Sequence, residues 1–163
     1  MAKVGIIMGS KSDYDVVAPA IKVLNDFGVE TVVRILSAHR TPDAVHSFAE
    51  NATKDGIEVI IAAAGKAAHL GGVVAAFTHL PVIGLPVKSS TLDGLDSLLS
   101  MVQMPAGIPV ACVAINGGLN AGLLAIQILS VKYIDLADKM IDYKKKMAEK
   151  VLSDEENFLS ENK

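Results

Sequence analysis

Three short polar runs in this largely apolar chain carry side chains that could do chemistry. The run Ser37-Ala38-His39-Arg40 puts an imidazole, which titrates near neutral pH, beside a guanidinium that can clamp an anion. His69 lies among Gly and Ala residues, which let a ligand approach the backbone closely. Both histidines also fit plain structural roles, at the surface or bonded to a loop carbonyl. We expect no second proton carrier beside His39.

The run Gly9-Ser10-Lys11-Ser12-Asp13 precedes a predicted helix. Two hydroxyls, backbone N–H groups and the positive end of the helix dipole can converge there on an anion such as phosphate. The same residues also fit a simple helix cap, with Ser12 or Asp13 as the cap and Asp15 completing a capping box. The chain contains neither G-x-G-x-x-G nor G-x-x-x-x-G-K-[ST], so a nicotinamide cofactor and ATP are both disfavoured.

Other familiar kinds of α/β site are not indicated. The four His and one Cys show no spacing typical of a zinc site, and we predict no metal. The G-x-S-x-G motif of serine hydrolases is missing. A phosphoacceptor Asp is also missing at the end of the third predicted strand, where Ala63 and Ala64 stand.

The elements that position these runs follow from an alternation of two patterns. Runs rich in Val and Ile predict five parallel strands buried on both faces, at residues 3–8, 30–36, 59–64, 81–87 and 109–115. Amphipathic or apolar stretches between them predict helices at 13–27, 42–54, around 72–77 and 92–102, and one long helix from near 120 past 150.

This alternation predicts an α/β fold, specifically a single-domain three-layer αβα sandwich with a five-stranded parallel, flavodoxin-like sheet. We divide the chain into an α/β body, 1–131, and a C-terminal arm and tail, 132–163, formed by a long projecting helix whose residues 153–163 fray. Right-handed crossovers place the loops that follow the strands, 9–13, 37–42, 65–72, 88–94 and 116–120, at one edge of the sheet. A ligand is expected at that edge.

Charge and composition restrict the partners. Fifteen basic against eighteen acidic residues, a net charge of −3, disfavour nucleic acid and anionic membranes. Polar residues and prolines interrupt every apolar stretch long enough to span a bilayer. One cysteine, and an N-terminal apolar run that meets Gly9 too early for a signal peptide, favour a cytoplasmic location. Residues 97–131 carry no charge at all, from which we expect a homo-oligomer.

Four motifs in order give this chain a family resemblance over roughly residues 3 to 130. They are the run 9–13, the run 37–42, Ala67-Ala68-His69-Leu70, and the stretch 92–98 with Val102-Gln103-Met104-Pro105. Together they closely resemble the class I, bacterial-type N5-carboxyaminoimidazole ribonucleotide mutases of purine biosynthesis. The resemblance implies an isomerase that moves a carboxylate from an exocyclic nitrogen to ring carbon C4 without metal, cofactor or ATP. It also implies an octamer whose active sites combine residues of neighbouring subunits.

The resemblance also implies roles for individual residues. His39 would be the general acid/base, and His69 would line the pocket of the migrating carboxylate. Asp13 would accept a ribose hydroxyl. The remaining substrate-binding residues would be Ser10, Ser12, Ser37, Ala38, Arg40, Gly65, Lys66, Ala67 and Leu70.

Two departures from the family pattern and two alternatives remain open. Lys66 stands where the family usually has Gly, and Gly71 where it has Pro; Lys66 would either add a cation beside the carboxylate or point to solvent. The related direct carboxylase, which uses CO2 and aminoimidazole ribonucleotide, tends to carry Lys at the position of Arg40, so Arg40 favours the mutase. In a non-catalytic nucleotide-binding module, the loop 9–13 would matter and His39 would not.

Overall fold

The computed structural model describes residues 1–162 and forms one five-stranded sheet. The strands are β1 (Lys3–Met8), β2 (Glu30–Ile35), β3 (Val59–Gly65), β4 (Val82–Val87) and β5 (Ala111–Cys112). All neighbours are parallel, in the order β2-β1-β3-β4-β5. This is the order of the flavodoxin-like doubly wound sheet, so the predicted fold class is confirmed.

Helices cover both faces of the sheet. They are α1 (Tyr14–Asp26), α2 (Pro42–Asn51), α3 (Leu70–Ala76), α4 (Leu95–Val102), α5 (Gly118–Ser130) and α6 (Ile134–Glu161), with 3-10 turns at Lys11–Asp13 and Leu92–Gly94. One core packs α1, α5 and the start of α6 on the sheet, and the other packs α2, α3 and α4 on the opposite face. Along β1, Ile6 enters the first core and Ile7 the second, as expected for a strand buried on both sides. None of the helices in residues 1–162 has the length and apolar character needed to span a bilayer.

Two strands differ from the prediction. The edge strand β2 is not buried on both faces, since Val33 is 36% and Ile35 54% exposed. The predicted strand at 109–115 shrinks to two residues. Pro86 of β4 explains the shortening. Its carbonyl accepts a hydrogen bond from the N–H of Asn116, on the side of β4 where β5 lies. Because the nitrogen and carbonyl of one strand residue face the same neighbour, the Pro86 nitrogen also faces β5, where it has no hydrogen to donate.

The long C-terminal helix is interrupted, contrary to the prediction. α5 ends at Ser130 and α6 begins at Ile134, with Tyr133 in an extended conformation (φ −109°, ψ 99°). The Tyr133 hydroxyl donates to Glu58 Oε1 (2.7 Å) and Lys132 Nζ to Glu58 Oε2 (2.6 Å), which ties the junction to the start of β3. The tail predicted to fray is helical to Glu161, and its last residue, Lys163, lies outside the described residues.

Helices α1 and α5 approach each other closely through two glycines of α5. A Cβ at Gly118 would collide with the carbonyl oxygen of Val16, and one at Gly122 with Cγ1 of Val23. Only glycine lets the backbones come this near. The contact holds α1 firmly, and with it the polar loop that precedes this helix.

Candidate active site

The carboxyl edge of the sheet holds a cavity of about 600 Å³. It lies between the ends of β1 and β3, where the order in which strands are added to the sheet reverses. There the Gly9 N–H donates to the carbonyl of Ala63 (3.0 Å). Doubly wound sheets bind ligands at this switch point. All twelve predicted site residues line the cavity, namely Ser10, Ser12, Asp13, Ser37, Ala38, His39, Arg40, Gly65, Lys66, Ala67, His69 and Leu70. The structure therefore brings them together, while their individual roles stay predictions.

The loop after β1 forms a capping box that begins earlier than predicted. The backbone N–H of Ser12 donates to Ser10 Oγ (3.3 Å), and that of Ser10 donates to Asp13 Oδ2 (3.1 Å). The predicted box with Asp15 is wrong because a 3-10 turn precedes α1 and moves the cap back to Ser10. The Ser12 hydroxyl also donates to Ser10 Oγ at 2.9 Å. The loop therefore has both a helix cap and an exposed pair of hydroxyls.

Asp13 is the one carboxylate among the cavity-lining residues, and it is only 8% exposed. Burial raises its pKa above the ordinary 3.8, although hydrogen bonds from Ser10 and Ser12 and the charge of Arg40 oppose the rise. These contacts hold the carboxylate in a defined orientation at the cavity wall. It is placed to accept a hydrogen bond from a ligand hydroxyl.

The loop after β2 is tied to the loop after β1 through Arg40. Its Nη2 donates to the carbonyl of Gly9 (2.7 Å), and its Nε and backbone nitrogen donate to Ser37 Oγ (3.3 and 3.2 Å). The Thr41 hydroxyl braces the same loop by accepting from the Ser37 N–H (2.9 Å). A guanidinium and three serine hydroxyls thus line one part of the cavity, a donor set that suits phosphate.

The two histidines of the site form a pair. His39 Nε2 lies 2.9 Å from His69 Nδ1, and their rings meet edge to face at 80° with centroids 5.0 Å apart. The expectation that no second proton carrier stands beside His39 is therefore wrong. It failed because the two residues belong to different loops, at the ends of β2 and β3, whose paths converge only in the folded chain. One ring must donate and the other accept, so a proton can be shared between them.

Five residues line the cavity that were not among the predicted site residues: Gly9, Ala64, Val87, Lys88 and Ser89. The available signal was their position at or after the ends of strands. The backbone of Lys88 is held by Asn116 Oδ1 (2.8 Å), and its Nζ pairs with Asp93 (3.0 Å). Ser89 donates to the carboxylate of Asp96 (3.2 Å). The loop after β4 therefore forms a further polar wall.

This fold and this cavity define a doubly wound α/β protein whose cavity combines a guanidinium, serine hydroxyls and a pair of adjacent histidines. A sequence model of the AIR carboxylase family matches residues 3–150. The chain belongs to this family.

Individual proteins of known name are also similar to this chain. The N5-carboxyaminoimidazole ribonucleotide mutase of Thermotoga maritima is 59% identical over 152 residues, covering 93% of this chain and 89% of the relative. The phosphoribosylaminoimidazole carboxylase of Candida glabrata is 55% identical over 149 residues, 91% of this chain but only 26% of that longer protein. The crystal structure of Treponema denticola PurE superposes with a TM-score of 0.88 at 33% identity, covering 96% of this chain and 98% of that one.

Proposed function

We propose that this chain is an N5-carboxyaminoimidazole ribonucleotide mutase, which converts that nucleotide to 4-carboxy-5-aminoimidazole ribonucleotide in purine biosynthesis. The observation that carries the proposal is the His39–His69 pair, 2.9 Å apart, in the same cavity as the Arg40 and serine donors. Family membership and the 59% identical mutase of Thermotoga maritima support it. A cytoplasmic location is part of the proposal.

In this proposal the phosphate of the nucleotide binds where the loop after β1 meets the loop after β2. Ser10, Ser12, Ser37 and Arg40 present hydroxyls and a guanidinium there, and charge-assisted hydrogen bonds to phosphate are among the strongest that proteins make. Asp13, buried and fixed by the capping box, accepts a hydrogen bond from the ribose. The aminoimidazole ring of the nucleotide then extends toward the histidine pair and the loop 65–70.

The reaction needs a group that gives one proton and takes one back. When the N-carboxylate leaves as CO2, the electron pair of the breaking C–N bond returns to nitrogen, which accepts a proton from His39. Carbon C4 then attacks CO2, and the proton released from C4 returns to His39. Imidazole suits both transfers near neutral pH, and the hydrogen bond to His69 orients the ring and shares the proton. The reaction is balanced without a co-reactant.

CO2 must stay enclosed between these two steps. The cavity wall has little side-chain bulk at Gly65, Ala67 and Ala38, which leaves room for CO2 beside the aminoimidazole ring. Retention of CO2 is what separates the mutase from the second candidate, a carboxylase that takes CO2 from solution. The 55% identity to a relative named phosphoribosylaminoimidazole carboxylase is the observation that keeps this candidate.

An isotope experiment separates the two functions. N5-carboxyaminoimidazole ribonucleotide labelled with 13C in the N-carboxylate is converted in unlabelled bicarbonate, and the product is analysed by mass spectrometry. The mutase is expected to keep most of the label, because bulk CO2 does not enter during the step. Aminoimidazole ribonucleotide with bicarbonate alone should give little product. Complete loss of label with efficient use of dissolved CO2 would establish the carboxylase instead.

A further inference from the structure

Three basic side chains line the cavity, on three different loops, and two of them have partners. Arg40 bonds to the Gly9 carbonyl and to Ser37, at the phosphate end. Lys88 Nζ pairs with Asp93 at 3.0 Å. The third, Lys66, has no carboxylate within 4 Å and no side-chain hydrogen bond among residues 1–162. Lys66 is therefore the basic side chain of the cavity for which residues 1–162 of its own chain supply no hydrogen-bonding or charged partner.

The backbone of Lys66 is in a conformation that glycine would adopt more easily. Its φ is +58°, in the left-handed region that L side chains rarely occupy. A lysine there destabilises the loop relative to glycine, and within the described residues its side chain makes no hydrogen bond or ion pair that would offset the cost. Such a residue at the wall of a site points to a role in binding.

The position of Lys66 in the fold indicates which part of the ligand it meets. It lies three residues before His69, in the loop that ends β3, whereas the phosphate donors belong to the loops after β1 and β2. The histidine pair must reach both the exocyclic nitrogen and C4, so the carboxylate lies beside the same loop. The one carboxylate among the residues lining the cavity, Asp13, belongs to the loop after β1.

We infer that Lys66 binds the carboxylate of substrate and product, and so sets the preference of the site for carboxylated over decarboxylated aminoimidazole ribonucleotide. The inference rests on the proposed function. Lys66 acts on binding and on retention of the carboxylate, and proton transfer remains with the histidines. The two nucleotides share phosphate, ribose and base, so the charge of Lys66 distinguishes them only at the carboxylate.

Calorimetry with two probes, 4-carboxy-5-aminoimidazole ribonucleotide and 5-aminoimidazole ribonucleotide, tests this role in four variants. Lys66→Gln removes the charge, Lys66→Gly removes the charge and the unfavourable φ, and Lys66→Arg keeps the charge. Lys144→Gln removes an equal charge from the exposed face of α6 and serves as the control. Loss of one charge-assisted contact should weaken binding of the carboxylated probe about tenfold in the Gln and Gly variants. Affinity for the decarboxylated probe should stay within about twofold in all four.

Steady-state kinetics give an independent readout. The Gln and Gly variants should raise KM for the N-carboxylated substrate with a smaller change in kcat, and Lys66→Arg should restore KM. Lys66→Gly should also melt at a higher temperature than wild type, because it relieves the backbone. An unchanged ratio of the two affinities in Lys66→Gln and Lys66→Gly overturns the inference while the wild type still turns over. Absence of binding and turnover in the wild type would instead overturn the proposed function, and this inference with it.

Discussion

In the proposed mechanism the proton is carried by a pair of imidazoles, His39 and His69, and this pairing affects what a single substitution should do. Residues that act as a unit give non-additive losses. In the proposed mechanism, removing His39 takes away the general acid/base, and removing His69 takes away its partner at 2.9 Å. The two losses should overlap instead of adding.

His39→Asn should lower turnover by at least the factor of ~10²–10⁴ usual for one general acid/base, while nucleotide binding survives. His39→Asn with His69→Asn should be no more than about tenfold worse than His39→Asn alone. Steady-state assays with calorimetry of nucleotide binding measure both. His46→Asn, at an exposed residue of α2 outside the cavity, is the matched control. A His39→Asn enzyme that kept more than a tenth of wild-type activity would favour the binding-module alternative.

Asp13 links the site to stability through its raised pKa. Because burial makes the folded state bind the Asp13 proton more tightly than the unfolded state does, the resulting stabilisation is fully present below pH 3.8 and is lost as pH rises through the higher folded value. Near pH 7 the ionised, buried carboxylate is therefore a cost. Asp13→Asn should leave the free energy of unfolding at pH 7 equal or higher, and should weaken nucleotide binding.

Urea denaturation of Asp13→Asn and wild type across pH 3 to 8 measures this directly. The stability of wild type relative to the variant should decrease as pH rises. Asp15→Asn, at an exposed position in the first turn of α1, should show no such trend. A variant that lost more stability at pH 7 than at pH 4 would contradict the account.

The twelve site residues could be placed together from sequence because parallel strands end at one edge of a sheet. The contacts between these residues could not be predicted in the same way. The separation of His39 from His69 depends on the paths of two loops, and the +58° φ of Lys66 leaves no trace in a sequence where lysine replaces the expected glycine. The capping box was displaced by a 3-10 turn that the helical pattern does not distinguish from the first turn of α1.

Among the secondary elements, the errors came from bonds to distant parts of the chain. Residues 131–133 contain no Gly or Pro, so the pattern predicted a continuous helix. The break is held by Glu58, more than seventy residues earlier in the chain. In the same way, β5 is short because the nitrogen of Pro86 in β4 faces it, and that direction depends on register.

Removing the Tyr133 hydroxyl should weaken the junction between α5 and α6. Burial acts to raise the pKa of Glu58, but hydrogen bonds from Lys132 and Tyr133 prevail and lower it below 4.5. The stabilisation is therefore present above pH 4.5 and is lost as pH falls through the lower folded value. Tyr133→Phe should reduce the free energy of unfolding by about 1 kcal/mol near pH 7.

Denaturation at several pH values tests this, and the difference from wild type should shrink as Glu58 is protonated. Tyr143→Phe is the control, since that ring packs on Phe27 and its hydroxyl makes no hydrogen bond in the described chain. An equal loss of stability in both variants would show that the bond from the Tyr133 hydroxyl to Glu58 makes no particular contribution to the junction.

At the scale of the whole molecule, large apolar side chains are exposed on several elements. Leu95, Leu99 and Val102 of α4 are 46 to 49% exposed, and Ile35 of β2 is 54% exposed. Several apolar side chains of α6 are also exposed, namely Ile141, Met147, Val151, Leu152, Phe158 and Leu159. Exposed apolar side chains on several elements are expected where subunits pack together. We propose an octamer with active sites shared between subunits.

Light scattering should therefore give a particle several times the 17.1 kDa of one chain, with eight copies as the expected number. Leu95→Glu combined with Leu99→Glu should yield smaller species, because the two charges would be buried in an apolar contact. Circular dichroism confirms that the variant keeps its helices. A wild-type monomer at micromolar concentration would remove this explanation of the exposed residues.

The close approach of α1 to α5 has a consequence for synthesis on the ribosome. Val16 and Gly118 touch in the folded protein but are separated by about a hundred residues, which take roughly 5–20 s to translate at bacterial rates. During that interval the apolar face of α1, with Val17, Ala20 and Leu24, has no partner helix. The loop 9–13 is attached to this helix, which until then can pack only against the early strands through residues such as Val4 and Ile6. We therefore expect α1, and the cavity loop attached to it, to reach the final position only after α5 has been synthesised.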